Sequence, residues 1–353
     1  MQTANTTLKS RYEQLKAENP KMRSKQAAEQ LGVTEAELTQ VMEGVTPLRP
    51  EFQNILKAVT SLGYVMALTR NHHVVHERKG EYLNPELDNP HVGLFVGEDI
   101  DLRIFLSCWK YAFALESEAN GKATNGILFF AQDGTAIHKI YLTPKSNKEA
   151  FHELIKTHKQ EEPYTFQLEP MPEKAATLPD AEVDIDGFQE EWRNLQDTHH
   201  FFGMLKRHKV SRTQALRLAP EGNYAVPVEN SAMRNILTKA SEQKCEIMVF
   251  VGNPGMIQIH TGPVKKLMDY GEWFNVLDPK FNLHANESAI AQSWIVRKPT
   301  EDGMVTALEC FDKEGNQIVQ FFGKRKPGIP ELELWRSIVA EAEQELKLES
   351  QPA

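Results

Sequence analysis

The sequence predicts an α+β protein made of two copies of one module, each a large antiparallel β-sheet with helices packed at one end. Three observations predict it. The chain repeats itself: NHHVVHERKG, Asn71 to Gly80, aligns with NPGMIQIHTG, Asn253 to Gly262, 182 positions on. Leu102 in DIDLRIF then meets Leu283 in KFNLHAN, and Phe130 in LFFAQDGTAIHKIY meets Phe311 in ECFDKEGNQIVQFF, both 181 positions on. Next, short β-rich runs joined by turn signals form one block in each half, apart from the helical stretches, which argues against alternating βαβ units. Last, 353 residues hold two copies of about 180, each long enough to bury a core of its own.

The elements follow in order. Residues 8–60 carry apolar residues at helical spacing with few breakers and read as helical. From Gly63 to Leu142 come the strand-like runs VMALT, HVVHE, GLFV, GILFF and AIHKIYL, and AQDGT at 131–135 is the turn of an antiparallel hairpin. Lys145 to Glu162 returns to helix. The segment 160–185 holds four prolines and many acids without periodicity, and is the natural connector. This places a first repeat at 1–162, a linker at 163–185 and a second repeat at 186–353. Helices resume over 186–217, a second β-rich region runs from Ile247 to Phe322 with a hairpin turn at 312–316, and an amphipathic helix from Pro330 to Leu348 closes the chain.

Composition narrows the function. With 41% hydrophobic and 25% charged residues the chain reads as an ordinary globular protein. It contains no apolar run of membrane-spanning length and its N-terminus has no signal-peptide core, so a cytoplasmic location is expected. A net charge of −9 argues against a general nucleic-acid-binding surface but leaves room for a local basic pocket. Cys108, Cys245 and Cys310 form no C-x-x-C pair and read as isolated core thiols.

Candidate chemistry begins with a stripe at Phe188, Trp192, Leu195, His199 and Phe202. Steps of 4, 3, 4 and 3 put His199 on the buried seam of one helix, with His200 rotated about 100° away and more exposed. A histidine there is commonly a hydrogen-bonded core residue. The repeat favours a functional reading, because the aligned stretch of the first copy, ENPKMRSK at 18–25, contains no histidine. An imidazole projecting into an apolar slot is what an axial haem ligand requires. Phe250 and Phe322 offer apolar walls, and Lys206, Arg207, Arg212, Arg297, Lys298 and Arg325 offer cations suited to propionates.

His72, His73 and His76 suggest a metal cluster, but strand alternation would send His73 to the opposite face from the other two, and no H-E-x-x-H accompanies them. His76 remains as an exposed secondary ligand. The stretch 25–44 has the form of a helix-turn-helix, repeated in HKVSRTQALRL. Its second helix carries three glutamates and no Lys or Arg, so DNA is not an expected partner.

These residues resemble a known family. DTHHFFGMLKRHKVSRTQAL, IMVFVGNPGMIQIHTGPV, WFNVLDPKFNLH, VRKPTEDGMVT and QFFGKRKPG, with DIDLRIFL in the first half, are similar to the HemS/ChuS/PhuS family of bacterial haem-utilisation proteins. The resemblance spans nearly the whole chain, duplication included. It implies one haem b (iron protoporphyrin IX) in the second half, with His199 as the ligand to haem iron and Arg103, from the first copy, as the distal arginine. It also implies pocket positions at Arg212, Phe250, Lys298, Gln320, Phe322 and Arg325, with His200 as an alternative ligand. Family members studied as haem degraders have Tyr where this chain has Phe322, and some carriers have a histidine where it has Phe202. The paired His199–His200 looks more like the carriers that hand haem to a separate oxygenase. The implied function is a haem carrier in iron acquisition, with a haem oxygenase and an inner-membrane haem importer as transient partners. The alternative is an enzyme that opens the porphyrin itself, with Arg103 catalytic. A haem-responsive regulator and a zinc hydrolase are the remaining readings.

Overall fold

The structure, a computed structural model, describes residues 2–89, 91–119, 122–326 and 328–349. The chain forms two compact units. Unit 1 comprises Met1–Arg70, Glu77–Pro172 and Gly252–Gln258, and unit 2 comprises Asn71–His76, Glu173–Val251 and Ile259–Ala353. Each unit therefore takes in one short segment from the other half of the sequence.

The first half of the chain runs α1 (Gln2–Glu18), α2 (Ser24–Leu31), α3 (Glu35–Val41), β1 (Val45–Leu48), α4 (Phe52–Val59), β2 (Gly63–Arg70), β3 (Val74–Gly80), β4 (Pro85–Glu86), β5 (Gly93–Val96), β6 (Asp101–Ile104), β7 (Trp109–Ala119), β8 (Lys122–Ala131), β9 (Ala136–Ser146) and α5 (Lys148–His158). In unit 1 the strands lie in the order β1-β7-β8-β9-β2, all antiparallel. The helical stretch expected over 8–60 is thus interrupted by β1. Its Pro47 is tolerated because the strand lies at a sheet edge, where a missing N–H costs no ladder bond. Ile55, Leu56 and Val59 of α4 and Phe151 and Leu154 of α5 bury against Val65, Ala67, Ala112, Ile127 and Ile140 on one sheet face. On the other face α3 and the connector residues Tyr164 and Phe166 cover Phe113, Leu128 and Phe130.

The second half runs α6 (Ile185–Arg193), α7 (His200–His208), α8 (Arg212–Arg217), β10 (Ala225–Val228), α9 (Ala232–Glu242), β11 (Ile247–Asn253), β12 (Met256–Gly262), β13 (Leu267–Tyr270), β14 (Trp273–Leu277), β15 (Phe281–Asn286), β16 (Gln292–Thr300), β17 (Gly303–Phe311), β18 (Gln317–Gly323) and α10 (Glu333–Leu346). Unit 2 orders its strands β10-β16-β17-β18-β11, the same pattern as unit 1. The register matches as well: Phe113 faces Leu128 as Trp294 faces Glu309. Helices α9 and α10 fill one face, with Trp335 fully buried and its indole N–H donating to the Thr306 carbonyl at 3.0 Å. Helices α6, α7 and α8 cover the other face at Trp294, Val296 and Phe311. The turn between α2 and α3 is made by Gly32 at φ 69°, and the matching turn between α7 and α8 by Lys209 at φ 51°. Thr34 and Ser211 then cap α3 and α8 with reciprocal capping boxes.

A buried triad in unit 1 has no counterpart in unit 2. In unit 1 the His138 imidazole lies between the Thr69 hydroxyl, 2.8 Å from Nδ1, and the Tyr82 hydroxyl, 2.5 Å from Nε2. The repeat puts Val251, Val319 and Val264 at the corresponding places, all buried. Burial pushes the His138 imidazole down to about 3 and the Tyr82 phenol well above its usual range. Native His138 is therefore neutral where the unfolded chain would be protonated. Its contribution to stability is full above pH 6.5 and is lost as pH falls from there towards 3. Urea midpoints at pH 7, 6 and 5 are expected to reveal a loss of up to about 1.4 kcal/mol per pH unit from this group. The triple variant Thr69→Val, Tyr82→Val, His138→Val should flatten that slope. An unchanged slope would show that other groups set it.

Candidate functional site

The helical stretch expected over 186–217 breaks between α6 and α7. Phe188, Trp192 and Leu195 are buried as their spacing requires, but α6 ends at Arg193 and α7 starts only at His200. The break resets the phase. Phe201, Met204 and Leu205 form the buried stripe of α7, whereas Phe202 is 61% exposed beneath the Lys206 ammonium, 4.6 Å away. His199 consequently does not lie on a buried seam: its side chain is 82% exposed, and His200 is exposed as well. The expected contrast between the two histidines fails because both precede or open the helix.

His199 is nonetheless held. Asp197 Oδ1 accepts from the His199 backbone N–H at 2.8 Å and lies 2.6 Å from its ring Nδ1. Partial burial alone would raise the Asp197 carboxyl. The hydrogen bonds from the His199 backbone and ring outweigh it and hold the group below its usual range. With Nδ1–H donating to the carboxylate, Nε2 carries the ring's lone pair and makes no hydrogen bond with the described residues. A carboxylate behind one nitrogen fixes tautomer and ring orientation and leaves the other nitrogen basic, which is the arrangement metal-binding imidazoles use.

Beneath the start of α7 lies a buried ionic cluster. Register puts Phe250, Gln320, Glu309 and Trp294 in one row across β11, β18, β17 and β16, with Met248, Phe322, Ala307 and Val296 in the next, all on the face that α6, α7 and α8 partly cover. Glu309 accepts two bonds from Arg212 of α8, both 2.7 Å, one from Lys298 Nζ at 2.8 Å and one from Gln317 at 3.0 Å. Phe201 roofs the group, with Lys298 Nζ 4.4 Å and the Arg212 guanidinium 5.2 Å from its ring centre. Burial lowers the Lys298 ammonium to about 8, opposed by Glu309. Burial would raise the Glu309 carboxyl, but Arg212 and Lys298 bring it down to about 2.

Of the residues expected at a site, unit 2 brings together Arg212, Phe250, Lys298, Gln320 and Phe322. Phe250 and Phe322 meet edge to face, 5.0 Å between centres, and are half-buried. Arg325, just beyond β18, is half-buried and makes no ion pair with the described residues. In unit 1 Arg103 of β6 is half-buried, with its guanidinium bonded to Asp101 and to the Leu102 carbonyl. His76 corrects an expectation: it is fully buried, its ring 5.0 Å from that of Phe281, so it is not an exposed secondary ligand. His72 and His73 precede β3, because Asn71 Oδ1 accepts from the backbone N–H groups of His73 and Val74 and delays the strand. Among the described residues no group of three His, Cys, Asp or Glu could hold a metal ion. Cys108, Cys245 and Cys310 are buried free thiols, raised by burial to about 11, 11 and 12.

Asp197, Phe201 and Glu309 escaped the sequence reading. Asp197 has a local signal, since an acid two residues before a histidine at a helix start can reach both its backbone and its ring. Glu309 has one too: it is the lone charge in the strand run VTALEC.

Comparison with known proteins identifies the family. The profile described as "Haemin-degrading HemS.ChuX domain" matches residues 32–158 and again 209–342. The hemin transport protein HmuS of Yersinia pestis is 40% identical over 342 residues, covering 95% of this chain and 97% of that one. The structure of holo-PhuS, described as a heme-binding protein from Pseudomonas aeruginosa, superposes with a TM-score of 0.91 at 43% identity, covering 95% and 97% of the two chains. The structure of ChuS from Escherichia coli O157:H7, described as a heme degrading enzyme, superposes with a TM-score of 0.89 at 34% identity, covering 96% and 99%. Two domain matches in one chain, over units with the same strand order, and full-length relatives at this identity make the chain a member of the HemS/ChuS/PhuS family.

Proposed function

We propose that unit 2 binds haem, with His199 Nε2 as the ligand to iron, and that the protein carries haem for iron acquisition in the cytoplasm. The observation that carries this reading is the exposed imidazole whose Nδ1 is tied to Asp197, two residues before Phe201, whose ring covers Arg212 and Lys298. The donor set fits the group: one basic imidazole nitrogen, half-buried Phe250 and Phe322 as flat apolar surface, and Arg212 and Arg325 for carboxylates. Bound haem would supply the iron chemistry. The chain's part is to orient the imidazole through Asp197, offer an apolar wall and meet the propionates with fixed cations. The family resemblance implies Arg103 as the distal residue. The relatives named above, described as transporting, binding or degrading haem, support the ligand. Among the described residues no helix is long and apolar enough to cross a membrane.

Phe322 and the His199–His200 pair favour carriage, with a haem oxygenase and a haem importer as partners. The second reading, degradation of the ring by this chain itself, is favoured by the ChuS structures, one described as an E. coli heme oxygenase. Incubating the haem complex with an electron donor and catalase separates the two. Non-specific bleaching and transfer of haem to an added oxygenase are expected for the carrier. A stoichiometric open-chain tetrapyrrole with released iron would establish the enzyme.

A further inference from the structure

The cluster of Arg212, Lys298 and Glu309 belongs to one repeat only. Register matches Glu309 to Leu128 and Lys298 to Ser117 in unit 1, and the first residue of the capped helix is Arg212 in unit 2 but Glu35 in unit 1. Unit 1 ties its helix to the sheet with the signs reversed, through Glu35 bonded to Arg70 and Lys139. The fold thus accepts a leucine where Glu309 stands, and burying a carboxylate beside two cations is seldom the most stable filling of such a space.

The three charges of unit 2 differ in access. Glu309 is fully buried, Lys298 is 4% exposed and Arg212 is 22% exposed. Glu309 engages Arg212 through Nε and Nη2, leaving Nη1 without a bond to the described residues. With all three groups charged, the cluster carries one net positive charge, and Arg212 is the member that can show it to a ligand. Without Lys298, Glu309 would neutralise Arg212.

We propose that Lys298 and Glu309 form a charge-setting pair behind Arg212, fixing the cluster at one net positive charge so that the Arg212 guanidinium receives a single carboxylate of a planar ligand. Glu309 and Lys298 are here positioning residues that act through Arg212. The inference rests on the haem reading, in which that carboxylate is one propionate.

The test compares full-length protein binding haemin and haemin dimethyl ester, followed at the Soret band. Each charge-assisted contact is worth about tenfold in affinity, and the diester loses those of both Arg212 and Arg325, so wild type should prefer the diacid by at least about tenfold. Lys298→Met brings the cluster to zero net charge and should reduce the preference towards that of Arg212→Ala. Lys298→Met combined with Glu309→Gln restores the single positive charge and should restore the preference. Arg212→Ala should lower the preference to the share that Arg325 contributes, and to the same value in every background. The double variant removes both buried charges together, so it stays informative even where the single variant folds poorly. A double variant no more selective than Lys298→Met, or a wild type that binds both ligands equally, overturns the proposal and leaves the haem reading standing. A wild type that takes up neither ligand overturns both.

Discussion

Replacing His199 with alanine is expected to abolish or strongly displace the ferric Soret band of the haem complex, while His200→Ala leaves it in place. Both side chains are exposed, so burial does not distinguish them. Asp197 does: its carboxylate holds the His199 ring at 2.6 Å, whereas among the described residues His200 has no such partner. The same argument makes Asp197→Ala informative. Losing the orienting carboxylate should weaken haem binding about 10- to 100-fold while keeping a histidine-ligated spectrum. Identical spectra for wild type and His199→Ala would remove the assignment.

Glu309→Ala is expected to destabilise unit 2 by about 3–5 kcal/mol, read as a lower urea midpoint at pH 7. The substitution strands the Lys298 ammonium and part of the Arg212 guanidinium beneath Phe201 with no counter-charge. Exchanging both buried members for neutral groups of similar size avoids that penalty, so the Lys298→Met, Glu309→Gln variant should lie close to wild type. A loss below about 1 kcal/mol for Glu309→Ala would mean that water reaches the cluster, since an exposed pair contributes no more than that.

The duplication and the strand blocks were legible because they are written in the primary pattern: matched motifs at a fixed offset, alternation within each run, and glycine-bearing turns between them. The surroundings of His199 were not. The apolar spacing from Phe188 through Leu195 continues in phase to His199 across a break that the pattern does not record, and the side chain that fills the core is Phe201. The histidines at 72–76 misled in a related way, since Asn71 ends one element and postpones the next. Four expected pocket positions, Phe250, Lys298, Gln320 and Phe322, do share one face of the sheet, as strand parity and register place them, and Arg212 reaches that face from α8. What parity could not supply was the partner: the carboxylate that occupies Arg212 and Lys298 comes from a neighbouring strand, and cross-strand neighbours depend on register.

The imidazole wedged between two hydroxyls in the first half, against three valines in the second, also restricts how the halves can exchange sequence. Copying the strand that bears His138 into its sister would set a ring needing two partners among aliphatic side chains. Copying the valine strand the other way would strand the hydroxyl of Tyr82 and leave that of Thr69 only the Met256 thioether. Each unsatisfied buried group costs about 1–3 kcal/mol, so recombination between the duplicated stretches is penalised unless all three positions travel together. The two copies are in this sense locked apart by their interiors, whatever their surfaces do.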